Sequence, residues 1–225
     1  MKIWRYIPIH RFEYLIKERS LYFARADQFC DPLEGTFPKG SVTLFSALKM
    51  KNLDEFFAKA ESLCKSVAAN CWHMDDSESL DMWRRYTENG QGVVVRATYS
   101  RLKKSMSAYT SDRIRIVKIQ YITFSKAVLP PVLGFPFEFK DEFYINEREL
   151  RCIIYRQNAI TGKGIPVPVD IDTLIGAIYI SPFAAKHFRN SVHAIVEKYG
   201  MAKRVFVSRL TSQPFGGNKK NVGSE

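Results

Sequence analysis

Three clusters in this chain hold the residue types from which a site is built. The first is Asn-Glu-Arg-Glu-Leu-Arg, residues 146–151. On a strand, where side chains alternate between faces, Glu147, Glu149 and Arg151 share one side and Leu150, Cys152 and Ile154 pack on the other. Two carboxylates in line with a guanidinium orient one another, and the arginine keeps them charged. Such a set suits a ligand's hydroxyls, a metal ion or a developing positive charge. The same spacing also describes a solvated strand face, whose surface ion pairs stabilise little.

The second cluster is Asp31-Pro32-Leu33-Glu34-Gly35, preceded by Arg25, Asp27 and Gln28. Loops of this kind carry function when a rigid scaffold presents them. Equally, Asp31 can simply bond the backbone that follows it in a turn. The third cluster sets Trp83 and Tyr86 beside Met82, with Trp72 and His73 upstream. An aromatic wall there would stack a base or a nicotinamide ring, or would be core.

Other chemistries find less material. Cys71-x-His73 lacks further ligands at a familiar spacing, and His187 with His193 does not make a zincin pair, so no metal set is assigned. There is no Gly-x-Ser-x-Gly elbow, Walker loop or Rossmann glycine pattern, and the 162–164 Gly-Lys-Gly reads as a hairpin turn.

The elements that must position these clusters follow from periodicity. Strands are expected over 3–7, 20–25, 69–73, 92–98, 113–124, 149–156, 164–169, 174–180 and 204–208. A helix over 10–19 places Phe12, Leu15 and Ile16 on one face. Asn52 and Glu55 form a capping-box start for a helix carrying Phe56, Ala60, Leu63 and Val67. Further helices are expected over 76–88, ended by Asn89-Gly90, over 100–107, and from Pro182 to Gly200. Residues 27–40 read as a polar turn and 126–142, with Pro130, Pro131 and Pro136, as a loop. Hairpin-like strands with interspersed helices predict an α+β fold with mixed or antiparallel sheets, one domain over 1–210 and a disordered tail over 211–225.

The 225 residues are 46% hydrophobic and 25% charged, a globular composition, with a formal net charge of +11. That surplus points to an anionic partner such as nucleic acid or a phosphorylated ligand. Basic residues gather at Arg101, Lys103 and Lys104, at Arg113 and Arg115, and at Lys186 and Arg189. Cys30, Cys64, Cys71 and Cys152 read as reduced thiols, and neither a signal peptide nor a membrane span is evident, so a cytoplasmic protein is expected.

Taken in order, Trp4-Arg5-Tyr6, Leu21-Tyr22-Phe23, Asp31-Pro32-Leu33-Glu34, Met82-Trp83-x-x-Tyr86, Gly90-x-Gly92, Lys140 and Glu147-x-Glu149-x-Arg151 resemble a widespread bacterial family. It is a family of unknown function, some of whose members are labelled as related to abortive phage resistance. The likeness runs from about residue 3 to the Glu/Arg strand. More remotely, an arginine on the first strand, an aromatic on the next and a late Glu-x-Glu are similar to ADP-ribosyltransferases. That resemblance implies NAD as cofactor, with Arg5 on its pyrophosphate and Tyr22 stacking nicotinamide. Glu149 would then stabilise the oxocarbenium-like ribosyl cation, with Glu147 orienting the acceptor.

The candidate catalytic residues are accordingly Glu149, Glu147 and Arg151. The candidate ligand-binding residues are Arg5, Tyr6, Tyr22, Arg25, Asp31, Glu34, Trp83 and Tyr86. Two other functions compete: nucleic-acid binding without catalysis, and a nuclease holding Mg²⁺ on Asp31, Glu34, Glu147 and Glu149. Ribosyl transfer requires Arg5, Tyr22 and Glu149 in one cleft, and the nuclease requires the two carboxylate motifs side by side. The binding function requires Arg113, Arg115 and Lys103 on one surface.

Overall fold

The strands rich in Val, Ile and Ala are buried on both faces, and they build the sheet around which the candidate residues are arranged. A computed structural model describes residues 1–210. In chain order the elements are β1 (Lys2–Ile7), α1 (Ile9–Lys17), β2 (Ser20–Arg25), α2 (Lys39–Ala47), α3 (Leu53–Leu63), β3 (Val67–Met74), α4 (Leu80–Tyr86), β4 (Val93–Thr98) and α5 (Tyr99–Ser105). They continue with β5 (Ile114–Lys118), β6 (Gln120–Ile122), β7 (Phe139–Asp141), β8 (Glu149–Tyr155), β9 (Gly164–Pro168), α6 (Ile171–Leu174), β10 (Ala177–Ile180), α7 (Lys186–Lys198) and β11 (Val205–Val207). The fold is α+β, with a sheet of mostly antiparallel strands in which β10 and β11 run parallel.

β3 is the hub of the nine-stranded sheet. Along one edge it pairs with β8, from Val67 opposite Tyr155 to His73 opposite Glu149. Its other edge is shared. β1 meets it at Ile3 and Trp4, opposite Met74 and His73, and β2 meets it at Ala24 and Arg25, opposite Ala69 and Ala68. The sheet therefore forks, and the edge of β3 at Asn70 and Cys71 lies between the two branches.

One face of β1, β4 and β8, with Ile3, Ile7, Val93, Val95, Leu150, Cys152 and Ile154, packs under Phe12, Leu15 and Ile16 of α1 and Phe188 and Val192 of α7. Phe12 is fully enclosed, and its truncation to alanine would cost about 3–5 kcal/mol. On the other face, Trp4, Tyr6, Val94, Met82 and Trp83 form one cluster, and Ala26, Val67, Ala69, Phe137 and Ile153 another.

Several expectations are corrected. Residues 39–47, placed partly in a turn, form α2. Asn52 is left-handed with no side-chain cap, so the capping box does not form. α4 begins only at Leu80, where the Ser79 hydroxyl accepts from the Met82 amide. The long strand over 113–124 breaks at Ile119, whose amide donates to the Glu149 carbonyl, and β6 then leaves to pair with β7 inside the expected loop. Asp170 caps α6, so the strand expected over 174–180 starts at Ala177. α7 starts at Lys186, not at Pro182. The tail expected to be disordered lies outside the described residues.

Candidate functional site

Two regions collect the candidate residues, one on each face of the sheet. The first is a buried charge network around Arg151, which is 0% exposed. All five of its guanidinium N–H groups are used. Nη1 and Nη2 donate to the Glu34 carboxylate at 2.5 and 3.1 Å, Nε and Nη2 to Glu149 at 2.6 and 3.2 Å, and Nη1 also to the Phe137 carbonyl at 2.9 Å. Lys140 lies 2.7 Å from Glu147 and 3.1 Å from Glu149. Tyr86 donates its hydroxyl to Glu147 at 2.6 Å, and Arg85 approaches the same carboxylate at 3.7 Å.

Local conformation brings these parts together. Gly35, at a φ of 71°, lies against the Phe137 ring where a side chain would collide, and the chain there turns Glu34 onto Arg151. Glu147 is not on β8, as the strand spacing suggested, but ends a 3-10 turn over Glu142–Glu147. Arg148 follows at a φ of 40°, which breaks the alternation, and Glu147 reaches the network through Lys140 and Tyr86.

The electrostatics separate the two carboxylates that share Arg151. Burial pushes both up. Glu149 faces Arg151 and Lys140 together, which outweigh burial and hold it at about 2. Glu34 leans mainly on Arg151, and burial prevails, so its pKa is raised. Burial and Glu147 raise the Tyr86 phenol. Burial works against the Lys140 ammonium, but Glu149 and Glu147 prevail and raise it. The solvated strand face that the spacing also allowed is ruled out by this burial.

The second region is a cleft of about 370 Å³ beside the fork of the sheet, lined by residues of β1, α1 and β2, Arg5, His10, Arg11, Tyr14 and Tyr22 among them. None of its lining residues is acidic. The half-buried Arg5 donates one N–H to the Cys71 carbonyl at 2.7 Å and lies 5.9 Å from the Trp72 ring centre. Among the described residues no carboxylate pairs with it. Burial, helped by the charge of Arg11, lowers its pKa to about 10. Tyr14 and Tyr22 meet edge to face with centres 6.3 Å apart.

Arg5 and Tyr22 thus share a cleft, as ribosyl transfer requires, but Glu149 does not line it. The register explains why. Trp4 stands opposite His73 and His73 opposite Glu149, so Glu149 lies on the Trp4 face while Arg5 points to the other.

The remaining candidates line neither the cleft nor the Arg151 network. Trp83 is fully buried, with its indole N–H on Glu78 at 3.1 Å, so it is a core pillar and not a stacking wall. Tyr6 packs edge to face on Trp83, and its hydroxyl accepts from the Ser79 amide. Arg25 clamps Asp27 and the carbonyls of Ile160 and Gly162. Asp31 accepts from the Leu33 amide through Oδ1 in the expected turn, and its buried Oδ2 has no partner among the described residues.

Glu34, Glu147 and Glu149 do come together, but around cations. Among the described residues no group of three or more His, Cys, Asp or Glu is placed to hold a metal. Arg115 is held by Glu138, and Arg101 donates to carbonyls of Asp172, Leu174 and Ile175, so part of the basic surplus is structural. Sequence reasoning missed His10, Arg11 and Tyr14. The signal was available, because His10 and Tyr14 are one turn apart on the helix that follows Arg5.

No family model matches the chain, and no curated protein or solved structure matches it either. Among the described residues no helix is long and apolar enough to cross a membrane.

Proposed function

We propose that this protein binds a nucleotide carrying a pyrophosphate, with NAD as the fullest case, in the cleft at the fork of the sheet. The observation that carries the reading is Arg5, a half-buried guanidinium with no carboxylate partner among the described residues. Enclosed charges are normally paired, because removing an ion from water is costly. Arg5 spends one N–H on the Cys71 carbonyl and keeps a planar fork suited to phosphate oxygens. His10 and Arg11 add positive charge at the same wall, and Tyr14 and Tyr22 offer ring faces for a base or nicotinamide. A cleft of about 370 Å³ is in the range of small-ligand sites.

The anion in this reading is a small nucleotide, with Arg101 and Arg115 of the wider basic surface held in structural contacts. Ribosyl transfer through Glu149 has less behind it, since that carboxylate is enclosed by Arg151 and Lys140. The protein belongs, in this reading, to the bacterial family related to abortive phage resistance, and acts in the cytoplasm.

The test is calorimetric titration of NAD⁺, ADP-ribose and inorganic pyrophosphate into wild-type protein and Arg5→Gln, with nicotinamide release followed beside Glu149→Gln. Binding that weakens at least about tenfold in Arg5→Gln supports the reading, a loss worth about 1.4 kcal/mol. Wild-type protein that binds none of the three overturns it. Release that vanishes in Glu149→Gln alone would return the catalytic role to that residue.

A further inference from the structure

Asn70 is 1% exposed, on the edge of β3 that the fork leaves between β1 and β2. Its amide Nδ2 donates to the Tyr22 carbonyl at 2.8 Å, and its Oδ1 accepts the Trp72 indole N–H at 2.8 Å. Tyr22 belongs to one wall of the cleft. Trp72 lies beneath the Arg5 guanidinium, and Arg5 itself is fastened to the Cys71 carbonyl between Asn70 and Trp72. One enclosed side chain therefore joins the tyrosine wall to the floor that supports the arginine.

We infer that Asn70 is a positioning residue of the cleft, setting the distance between Tyr22 and Arg5 and so selecting ligands that carry both a ring and a pyrophosphate. This rests on the nucleotide reading above. The chemistry is that of a satisfied buried amide. Each of its groups has one geometry in which both partners are met, and losing it strands the Tyr22 carbonyl and the Trp72 N–H. A β-strand edge closes such gaps with another strand. Here the branches diverge, and Asn70 and Arg5 supply the missing bonds from their side chains.

The separation matters only to a ligand that touches both walls. Inorganic pyrophosphate engages the cationic groups alone, whereas ADP-ribose must also present a ring to the tyrosines. A general loss of stability would weaken both probes alike, which makes the pair diagnostic.

The experiment titrates ADP-ribose and inorganic pyrophosphate into wild-type protein, Asn70→Leu and Trp72→Phe. Trp72→Phe keeps a ring beneath Arg5 but removes the donor that orients the amide, and it serves if Asn70→Leu fails to fold. In Asn70→Leu, ADP-ribose is expected to weaken about tenfold while pyrophosphate changes less than about twofold. Trp72→Phe, which also trims the floor under Arg5, should weaken ADP-ribose near threefold and pyrophosphate by less than that. Folded variants that bind both probes like wild type, or lose both equally, overturn the inference and leave the nucleotide reading standing. Wild-type protein that binds neither probe overturns the reading on which it rests.

Discussion

Arg151 and Arg5 sit on opposite faces of the same sheet and show two ways of enclosing a guanidinium. Arg151 is inaccessible and every N–H has a partner, with a carboxylate on either side. Arg5 has one carbonyl, an aromatic floor and an open cleft with no acid among its described lining residues. The saturated arginine has nothing left to offer a ligand, and its work is to tie the 31–35 loop and β8 together. The unsaturated one gives the fold a single hydrogen bond, to the Cys71 carbonyl, and keeps its other N–H groups unspent among the described residues. The proposal for the cleft rests on that unspent hydrogen-bonding capacity and not on charge alone.

The contrast breaks most sharply at Arg151. Arg151→Met leaves Glu34 and Glu149 enclosed without their cation, and unfolding in urea should show a loss of about 3–5 kcal/mol. A loss below about 1 kcal/mol would mean that water reaches the network and that it is no structural tie.

Glu149 comes next. Its folded pKa of about 2 lies below its ordinary value of 4.5. Its stabilisation is therefore full above that ordinary value and disappears as pH falls from there towards 2. Glu34 shifts the other way and opposes this in part. Glu149→Gln should destabilise the protein by a few kcal/mol at pH 7 and flatten the acid limb of a stability–pH curve. An unchanged acid limb would show that another group governs it.

Arg5→Gln reverses the pattern. Affinity for NAD⁺ should fall at least about tenfold while stability falls by only about 1–2 kcal/mol, the cost of one hydrogen bond to the Cys71 carbonyl, since among the described residues no ion pair is broken. Equal losses of stability in Arg5→Gln and Arg151→Met would erase the distinction between the two regions. The smallest effect belongs to Tyr86→Phe, which removes one hydroxyl from the Glu147 carboxylate at the network's edge. About 1 kcal/mol of stability should go, with nucleotide affinity unchanged.

The fold was legible where periodicity is strong. The face of α1 with Phe12, Leu15 and Ile16, the β-branched run of β4 and the apolar face of β8 all lie where spacing puts them. The site was legible only in part. Arg5 and Tyr22 were named and share the cleft; Glu34, Glu147, Glu149, Arg151 and Tyr86 were named and share the network. What failed was the grouping. Period-two alternation joined Glu147 to Glu149, but a left-handed Arg148 separates them, and no local pattern announces that backbone state at an arginine. Trp83 reads in the sequence more readily as core than as a ligand-stacking wall, because an aromatic stripe at helical spacing does both and more often fills a core.

Sequence by itself determined the α+β class, the faces of the amphipathic elements and the set of polar residues that must be satisfied once enclosed. These depend on neighbours along the chain and on side-chain chemistry. Tertiary structure decided which charges meet. Glu34 and Arg151 are 117 positions apart and are bonded, whereas Arg5 and Glu149 lie on opposite faces of one sheet. The reason lies in strand register: β8 on one edge of β3 and β1 on the other put Glu149 and Arg151 on the Trp4 face and Arg5 on the opposite one. The cleft lies where β1 and β2 share an edge of β3. Strand pairing is a long-range choice, and the spacing of residues along a single strand does not contain it.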